Sequence, residues 1–399
     1  MTINDKVRWA FITALFPFCG LVSSIKANRT YVFPGVFAIF FFFIGTQIIA
    51  NESNDFGRYM MNFSLLSMQS GFSFEYYFIS LNESSQIDFY LPFMTWFVSR
   101  FTSNTQVFAG ILAMLYGICL SFNFKYITKY CNSSTLFIVL FFVLVLLPKA
   151  SYTHRWWMAM QVFLLGALPY ILEGKYKFLL FSIASIFIHF SFLYLLVILL
   201  VYKFLPKYSL ISYVLIFIVA NLLESLDIGA ITGVIEQYLP DSFNSRNESY
   251  INAEFQDHNW FSQSGRVTWK FLNIGLVLYI FFQLRDYLKY RPEYKSLLVC
   301  TLLIGTFSAI ANLTEWGWRY LDVTNFMFCS LYILILADSK VFGLKFDNVI
   351  RIASPFFVYI ILFQLRGVLG IIGINALCVG NVLTTWFIED SCPVLSLIK

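Results

Sequence analysis

Charge is scarce in this sequence. Of its 399 residues only 12% are Asp, Glu, Lys or Arg, against a soluble-domain norm of about 25%. Histidine is scarcer still. The three present, His154, His189 and His258, include no two at metal-ligand spacing, which argues against a zinc or iron site. The seven cysteines form no Cys-x-x-Cys pair, and most lie in apolar runs. They read as packing residues rather than disulfides or metal ligands. Gly367, Gly370 and Gly373 follow no strand and precede no Lys-Ser/Thr. That excludes a nucleotide loop and reads instead as a small-residue packing stripe within a span. No cofactor is expected. The first apolar run, about 7–23, lacks a small-x-small cleavage site, so no cleavable signal peptide is expected.

What the sequence has in quantity is apolar surface. Apolar residues make up 59% of the chain, Phe alone contributes 47 residues, and mean hydropathy is +0.72. A water-soluble domain cannot hide this much apolar area, because surface-to-volume scaling caps the buried fraction. The solvent for most of the chain is lipid. A span needs about 20 apolar residues. Candidate spans are 7–23, 31–50, 105–123, 135–148, 156–172, 208–224, 267–284, 296–313 and 320–337, with one or two more in 352–388. The expected fold is an all-α polytopic membrane protein of roughly ten to twelve membrane segments. Residues 1–399 read as a single transmembrane domain carrying two long polar loops, 51–88 and 225–266.

Orientation follows from the Lys/Arg bias of short loops. Loops 24–30, 124–131, 173–177, 202–208, 285–295 and 338–351 hold 15 basic and 5 acidic residues, and the opposite set, 51–88, 148–155, 225–266 and 314–319, holds 6 basic and 12 acidic. The first set is expected in the cytoplasm and the second outside. The net charge of +5 is spread over short loops rather than clustered, so it reads as membrane orientation and not as a nucleic-acid footprint. One apolar segment, 178–201, has basic residues on both flanks: Lys175 and Lys177 before it, Lys203 and Lys207 after it. A re-entrant pair of half-helices, turning at Ile188-His189-Phe190-Ser191, keeps both flanks inside, and non-helical backbone at that depth must be buried in protein or line a wet cavity. His189 is therefore expected to face an internal cavity. The rival is a full span with a snorkelling lysine flank.

Cations stand at the outward ends of several spans. Lys149, His154 and Arg155 lie in one short turn, Trp318 and Arg319 in another, and Arg58 and Arg266 in the long loops. An arginine near lipid is costly and usually has a partner. Any one of them has an ordinary alternative: snorkelling to head groups or pairing with a loop carboxylate. Several on one face point instead to a polyanion, because guanidinium forks match phosphate oxygens. A lipid diphosphate supplies both a tail for the bilayer and a head for the arginines. His154 could donate to a phosphate or a leaving oxygen. Asp55 and Asp88 are the candidate bases for a sugar hydroxyl, although loop acids are usually only solvated. Outer tryptophans such as Trp318 could stack on sugars, though interfacial anchoring is the commoner role.

Five short motifs occur in order: Asn54-Asp55-Phe56-Gly57-Arg58-Tyr59, Asp88-Phe89-Tyr90-Leu91-Pro92, His154-Arg155-Trp156-Trp157-Met158-Ala159, Ile188-His189-Phe190-Ser191 and Trp318-Arg319-Tyr320. Over about residues 30–340 this resembles the EpsG/Wzy-type polysaccharide polymerases of bacterial envelopes. Trp156 stands where that family commonly has Gln; if that Gln contacts substrate, Gln161 is the nearest replacement. The resemblance implies a GT-C-like helical body in the bacterial inner membrane, and transfer of a growing glycan from undecaprenyl diphosphate onto an incoming lipid-linked repeat unit. For a transfer of that kind the candidate reacting groups are Arg155 and Arg319 for the diphosphate, His154 or His189 as donor and Asp55 or Asp88 as base, and the candidate substrate-binding residues are Arg58, Tyr59, Lys149, Gln161, Arg266 and Trp318. The resemblance also implies a chain-length regulator protein as partner. Two other functions share parts of the pattern. A flippase for lipid-linked oligosaccharide would show paired inverted repeats, and none is found. An O-antigen ligase would use the same chemistry with a different acceptor.

Overall fold

The structure is a computed structural model that describes residues 3–27, 34–49, 55–69, 73–75, 88–128, 154–205, 209–224, 260–312, 318–388, 390 and 392–398. The expected span 135–148 and Lys149 lie outside them.

The described residues form helices throughout, which is the all-α polytopic membrane fold expected. In chain order they are α1 (Ile3–Leu15), α2 (Pro17–Ala27), α3 (Pro34–Thr46), α4 (Asp55–Ser67), α5 (Tyr90–Ser99), α6 (Thr105–Thr128), α7 (His154–Glu173), α8 (Leu179–Ile188), α9 (Phe192–Val201), α10 (Leu210–Glu224), α11 (Trp260–Gln283), α12 (Tyr287–Tyr290), α13 (Pro292–Asn312), α14 (Trp318–Phe342), α15 (Phe346–Leu369), α16 (Ile374–Val379) and α17 (Val394–Ile398). Six stretches among the described residues are long and apolar enough to cross a membrane: Thr105–Thr128, Arg155–Glu173, Ser264–Gln283, Pro292–Asn312, Arg319–Ser339 and Phe346–Leu369. Four shorter helical stretches are also apolar: Pro34–Thr46, Tyr176–Ile188, Phe192–Phe204 and Leu210–Leu223. Large apolar side chains such as Leu180, Phe187, Leu215, Phe282, Ile352 and Leu362 are exposed on helix surfaces, as a lipid solvent permits.

Three sequence expectations change. The run 7–23 is two helices, because Pro17 opens α2; proline lacks the N–H an unbroken helix would use and suits a first helical position. The run 31–50 contains a helix of only 13 residues, about 20 Å long at 1.5 Å per residue. It stops at Thr46, and Ile48 then bridges to Ile372. The glycine stripe is not inside one span. Gly370 caps the end of α15 and Gly373 the start of α16, where Gly373 packs directly on Asp390.

The chain divides into two compact units. One comprises Met1–Leu196, Ile333–Asp347 and Ile361–Lys399; the other comprises Val197–Tyr332 and Asn348–Ile360. In the first unit α3 lies against α6. The side chains of Phe37, Phe40, Phe41 and Phe43 are fully buried, and glycines on each helix receive the partner's bulk. A Cβ on Gly45 would meet the Ala109 carbonyl oxygen at 2.7 Å, and one on Gly117 would meet Phe41 at 2.6 Å. Small residues let backbones approach where apolar lipid gives helices no hydrophobic reason to associate. Helices α4, α5 and α6 share a second cluster that includes Phe63 stacked on Phe108 at 4.2 Å. Arg100, at the end of α5, donates to the Leu66 and Gln69 carbonyls at the C-terminus of α4, a favourable place for a cation. Between α7 and α8, Gly166 packs against Ser182, whose hydroxyl donates to the Phe163 carbonyl.

In the second unit α10 packs along α13, where the ring of Phe217 fills the space left by Gly305. Trp269 of α11 meets Phe357 of α15 edge to face.

Candidate functional site

The apolar segment 178–201 breaks where its basic flanks predict. Helix α8 ends at Ile188, His189 is extended at φ −152° and ψ 115°, and α9 begins at Phe192. Each half has 10 residues, about 15 Å, half of the ~30 Å hydrocarbon thickness. A break there strands backbone groups that lipid cannot satisfy. Residues 88 and 89 satisfy two of them. The Phe89 N–H donates to the Phe187 carbonyl at 2.9 Å, and the Phe190 N–H donates to Asp88 Oδ1 at 3.0 Å.

The other carboxylate oxygen of Asp88 holds the site's arginine. Arg155 Nη1 donates to Asp88 Oδ2 at 2.9 Å, with the arginine side chain 25% and the aspartate 12% exposed. Arg155 Nε donates to the Tyr59 hydroxyl at 2.9 Å, and its guanidinium carbon lies 5.2 Å from the centre of the Tyr59 ring. Three separate stretches, α4, the residues just before α5 and the start of α7, thus converge on one guanidinium in the first unit. Arg155 is the second residue of α7, at the helix end whose dipole favours an anion.

His189 is half-buried beside this pair. Trp156, the residue after Arg155, packs edge to face against its ring at 5.2 Å and against Phe192 at 4.7 Å. The Ser191 N–H donates to His189 Nδ1 at 3.3 Å. A neutral imidazole accepting at Nδ1 carries its proton on Nε2. Trp156 and Phe192 thus set aromatic rings against His189.

The structure therefore brings together Tyr59, Asp88, Arg155 and His189. Asp88 is engaged through both oxygens, so its visible work is to position Arg155 and the 189–191 break. Asp55 opens α4, His154 opens α7 and Trp318 opens α14, with side chains outside the described residues. Arg58 is exposed on α4. Arg266 is exposed on α11, and Arg319 is half-buried as the second residue of α14, both in the second unit. Arg155 and Arg319 thus occupy the same helical position, the first turn of a long apolar helix.

Gln161 does not face this site. It is fully buried, and Asn123 Nδ2 of α6 donates to its Oε1 at 2.9 Å and to its backbone carbonyl at 2.8 Å. Asn123→Ala should cost about 1–3 kcal/mol by leaving that oxygen buried without its donor. The double change to leucines should cost less than the sum of the single changes. Thermal unfolding in detergent measures both, and transfer activity per folded molecule should not move. A raised KM at unchanged stability would instead return Gln161 to the substrate.

Sequence reasoning missed the Asp88–Arg155 pair, the Phe190 N–H and Phe192. Sixty-seven residues separate the paired charges, and no periodicity spans that distance.

No curated protein and no solved structure matches the chain. The EpsG family matches over residues 30–373, a range that holds Tyr59, Asp88, Arg155, His189 and Arg319 together with all but the two ends of this multi-pass membrane body. This chain belongs to the EpsG family, whose members are Wzy-type polymerases.

Proposed function

We propose that this protein is an O-antigen or related polysaccharide polymerase. It acts at the periplasmic face of a bacterial inner membrane and moves the growing glycan from undecaprenyl diphosphate onto a lipid-linked repeat unit. The observation that carries the reading is the Arg155 guanidinium. It sits in the first turn of an apolar helix, held by Tyr59 and Asp88 beside a broken helix.

In the reaction a hydroxyl oxygen of the acceptor sugar attacks the donor's anomeric carbon. The bond from that carbon to the diphosphate oxygen breaks, its electron pair leaves with undecaprenyl diphosphate, and the hydroxyl proton passes to a base. Charge gathers on the departing oxygen. A preplaced cation there contributes a few kcal/mol, because it needs no reorganisation as the charge develops. Arg155 supplies that cation, with the α7 N-terminus behind it. Arg319 is the second cation, and Arg58, Lys149 and Arg266 are further candidates. The Nε2–H of His189, or His154, donates to the leaving oxygen. Asp88 holds the arginine, which leaves Asp55 as the carboxylate for the acceptor proton. Tyr59 orients the guanidinium, and Trp318 is a platform for a sugar ring.

Cells carrying Arg155→Ala or Arg319→Ala should attach single repeat units to the acceptor without longer products. Gel analysis of the polysaccharide reads this directly. Full-length ladders with both variants normally abundant would refute the clamp. Loss of all attachment would identify a ligase.

A further inference from the structure

An aromatic ridge runs from the Arg155 site along α5. Phe89, Phe93 and Phe97 recur every four residues and so share one helix face, and Phe101 follows at the same spacing. Phe89 stacks on Phe93 at 5.6 Å and 13°, Phe93 stacks on Phe97 at 5.8 Å and 15°, and Phe97 meets Phe101 edge to face at 5.1 Å. The opposite face of α5 carries Leu91, Met94 and Val98 into the cluster shared with α4 and α6. Phe74 closes one flank, with its edge against Phe89 and Phe93. The rest of the ridge is open: Phe89 is 40%, Phe97 44% and Phe101 76% exposed. No charge interrupts it between Asp88 and Arg100.

The near end of the ridge is tied to the site. Phe89 follows Asp88, whose carboxylate holds Arg155, and its N–H donates to the Phe187 carbonyl. Phe187 and Phe190, bonded through their backbones to residues 89 and 88, are exposed as well. A lipid solvent alone does not require such a surface. The exposed large side chains of α10 are all aliphatic, Leu215, Ile216 and Val219 among them. Rings already stacked on one another form a stiff platform that loses little freedom when a ligand settles on it. A polyprenyl chain is a row of flat, methyl-bearing double bonds. Flat groups lie well on ring faces, and the negative charge of those faces attracts C–H groups. From Phe89 to Phe97 the ridge runs about 12 Å along the helix.

We infer that this ridge seats the prenyl tail of the lipid diphosphate whose head meets Arg155. The inference rests on the Arg155 reading above and adds the path of the tail, which leaves the guanidinium at Phe89 and follows α5 toward Phe101.

Transfer kinetics of the full chain in nanodiscs test this, with undecaprenyl diphosphate and inorganic diphosphate as inhibitors competing with the donor. Both carry the head group and only one carries the tail. Phe97→Ala/Phe101→Ala should weaken inhibition by undecaprenyl diphosphate about tenfold, the size expected for two lost ring contacts, and leave inhibition by inorganic diphosphate unchanged. Phe93→Leu, which keeps bulk and removes the ring, should act in the same direction by about threefold. Undecaprenyl diphosphate inhibition unmoved in both variants would overturn the inference. So would equal weakening of the two inhibitors, since the loss would then lie at the head. A second measurement needs no activity. With p-benzoylphenylalanine in place of Phe101, light should cross-link radiolabelled undecaprenyl diphosphate selectively from a large excess of phospholipid. Capture of the two lipids only in proportion to their amounts would mark an ordinary lipid face and overturn the proposal. If the prenyl lipid is captured selectively while the wild-type chain makes no ladder, the ridge stands and the polymerase reading falls. A normal ladder without selective capture keeps the polymerase and removes the ridge.

Discussion

Arg155→Lys should abolish polymer, lowering the transfer rate at least a hundredfold although the positive charge is kept. The guanidinium reaches two partners at once, Tyr59 through Nε and Asp88 through Nη1, both at 2.9 Å. An ammonium is a point charge without that fork, so one partner must be released and the charge moves. A hundredfold corresponds to about 2.7 kcal/mol of transition-state stabilisation, the lower end of what one preplaced donor supplies. Asp88→Asn should act through the same residue. It removes the counter-charge of a partly buried arginine while keeping an acceptor for the Phe190 N–H. Its effect should be smaller, about tenfold, and non-additive with Arg155→Lys, because the two residues form one unit. Initial rates with purified protein at saturating donor measure both. A lysine variant within threefold of wild type would show that charge alone matters.

The second large effect concerns assembly rather than chemistry. Gly45→Val should sharply reduce the yield of monodisperse protein. Its Cβ would lie 2.7 Å from the Ala109 carbonyl oxygen and the Ala113 Cβ, and 2.9 Å from the Gly110 Cα. Two of those three atoms are backbone, so α3 and α6 would have to part, and overpacking of this kind costs typically 1–3 kcal/mol or more. The steric argument has an internal control. Gly275, also in a helix, has nothing among the described residues within 4 Å of its notional Cβ, and Gly275→Ala should be neutral or stabilising by up to about 1 kcal/mol. Size-exclusion profiles and thermal midpoints in detergent decide. Equal behaviour of the two variants would mean that close approach at Gly45 is not what joins these helices.

The long spans were legible because they announce themselves locally. Each of the runs 105–123, 156–172, 267–284, 296–313 and 320–337 falls on one of the long apolar helices. The break at His189 was legible from topology: basic residues on both sides of one apolar run leave few arrangements. Helix ends governed by a single proline or by tertiary contact were not. Pro17 divides a run that hydropathy alone joins, and α3 stops short because the chain at Ile48 pairs with Ile372, more than three hundred residues away. The site divides in the same way. Arg155 and Arg319 stood out because each follows a polar stretch at the head of an apolar run, and in the structure both stand in the first turn of a long apolar helix. The Asp88–Arg155–Tyr59 contact depends on three distant segments meeting, so the sequence marks Asp88 as a candidate base and not as the partner of Arg155. Gln161 looked available as a polar residue near the arginine. Its partner Asn123 lies on another helix, and burial there appears only once α6 and α7 are packed.

The most direct test is incubation of the purified chain in nanodiscs with one defined prenyl-diphosphate-linked repeat unit and no nucleotide sugar. Products of two, three and more units should form, with one prenyl diphosphate released per new linkage, and Arg155→Ala should form none. A well-folded wild-type chain that yields no ladder, or yields one only when a nucleotide sugar is added, would contradict the account.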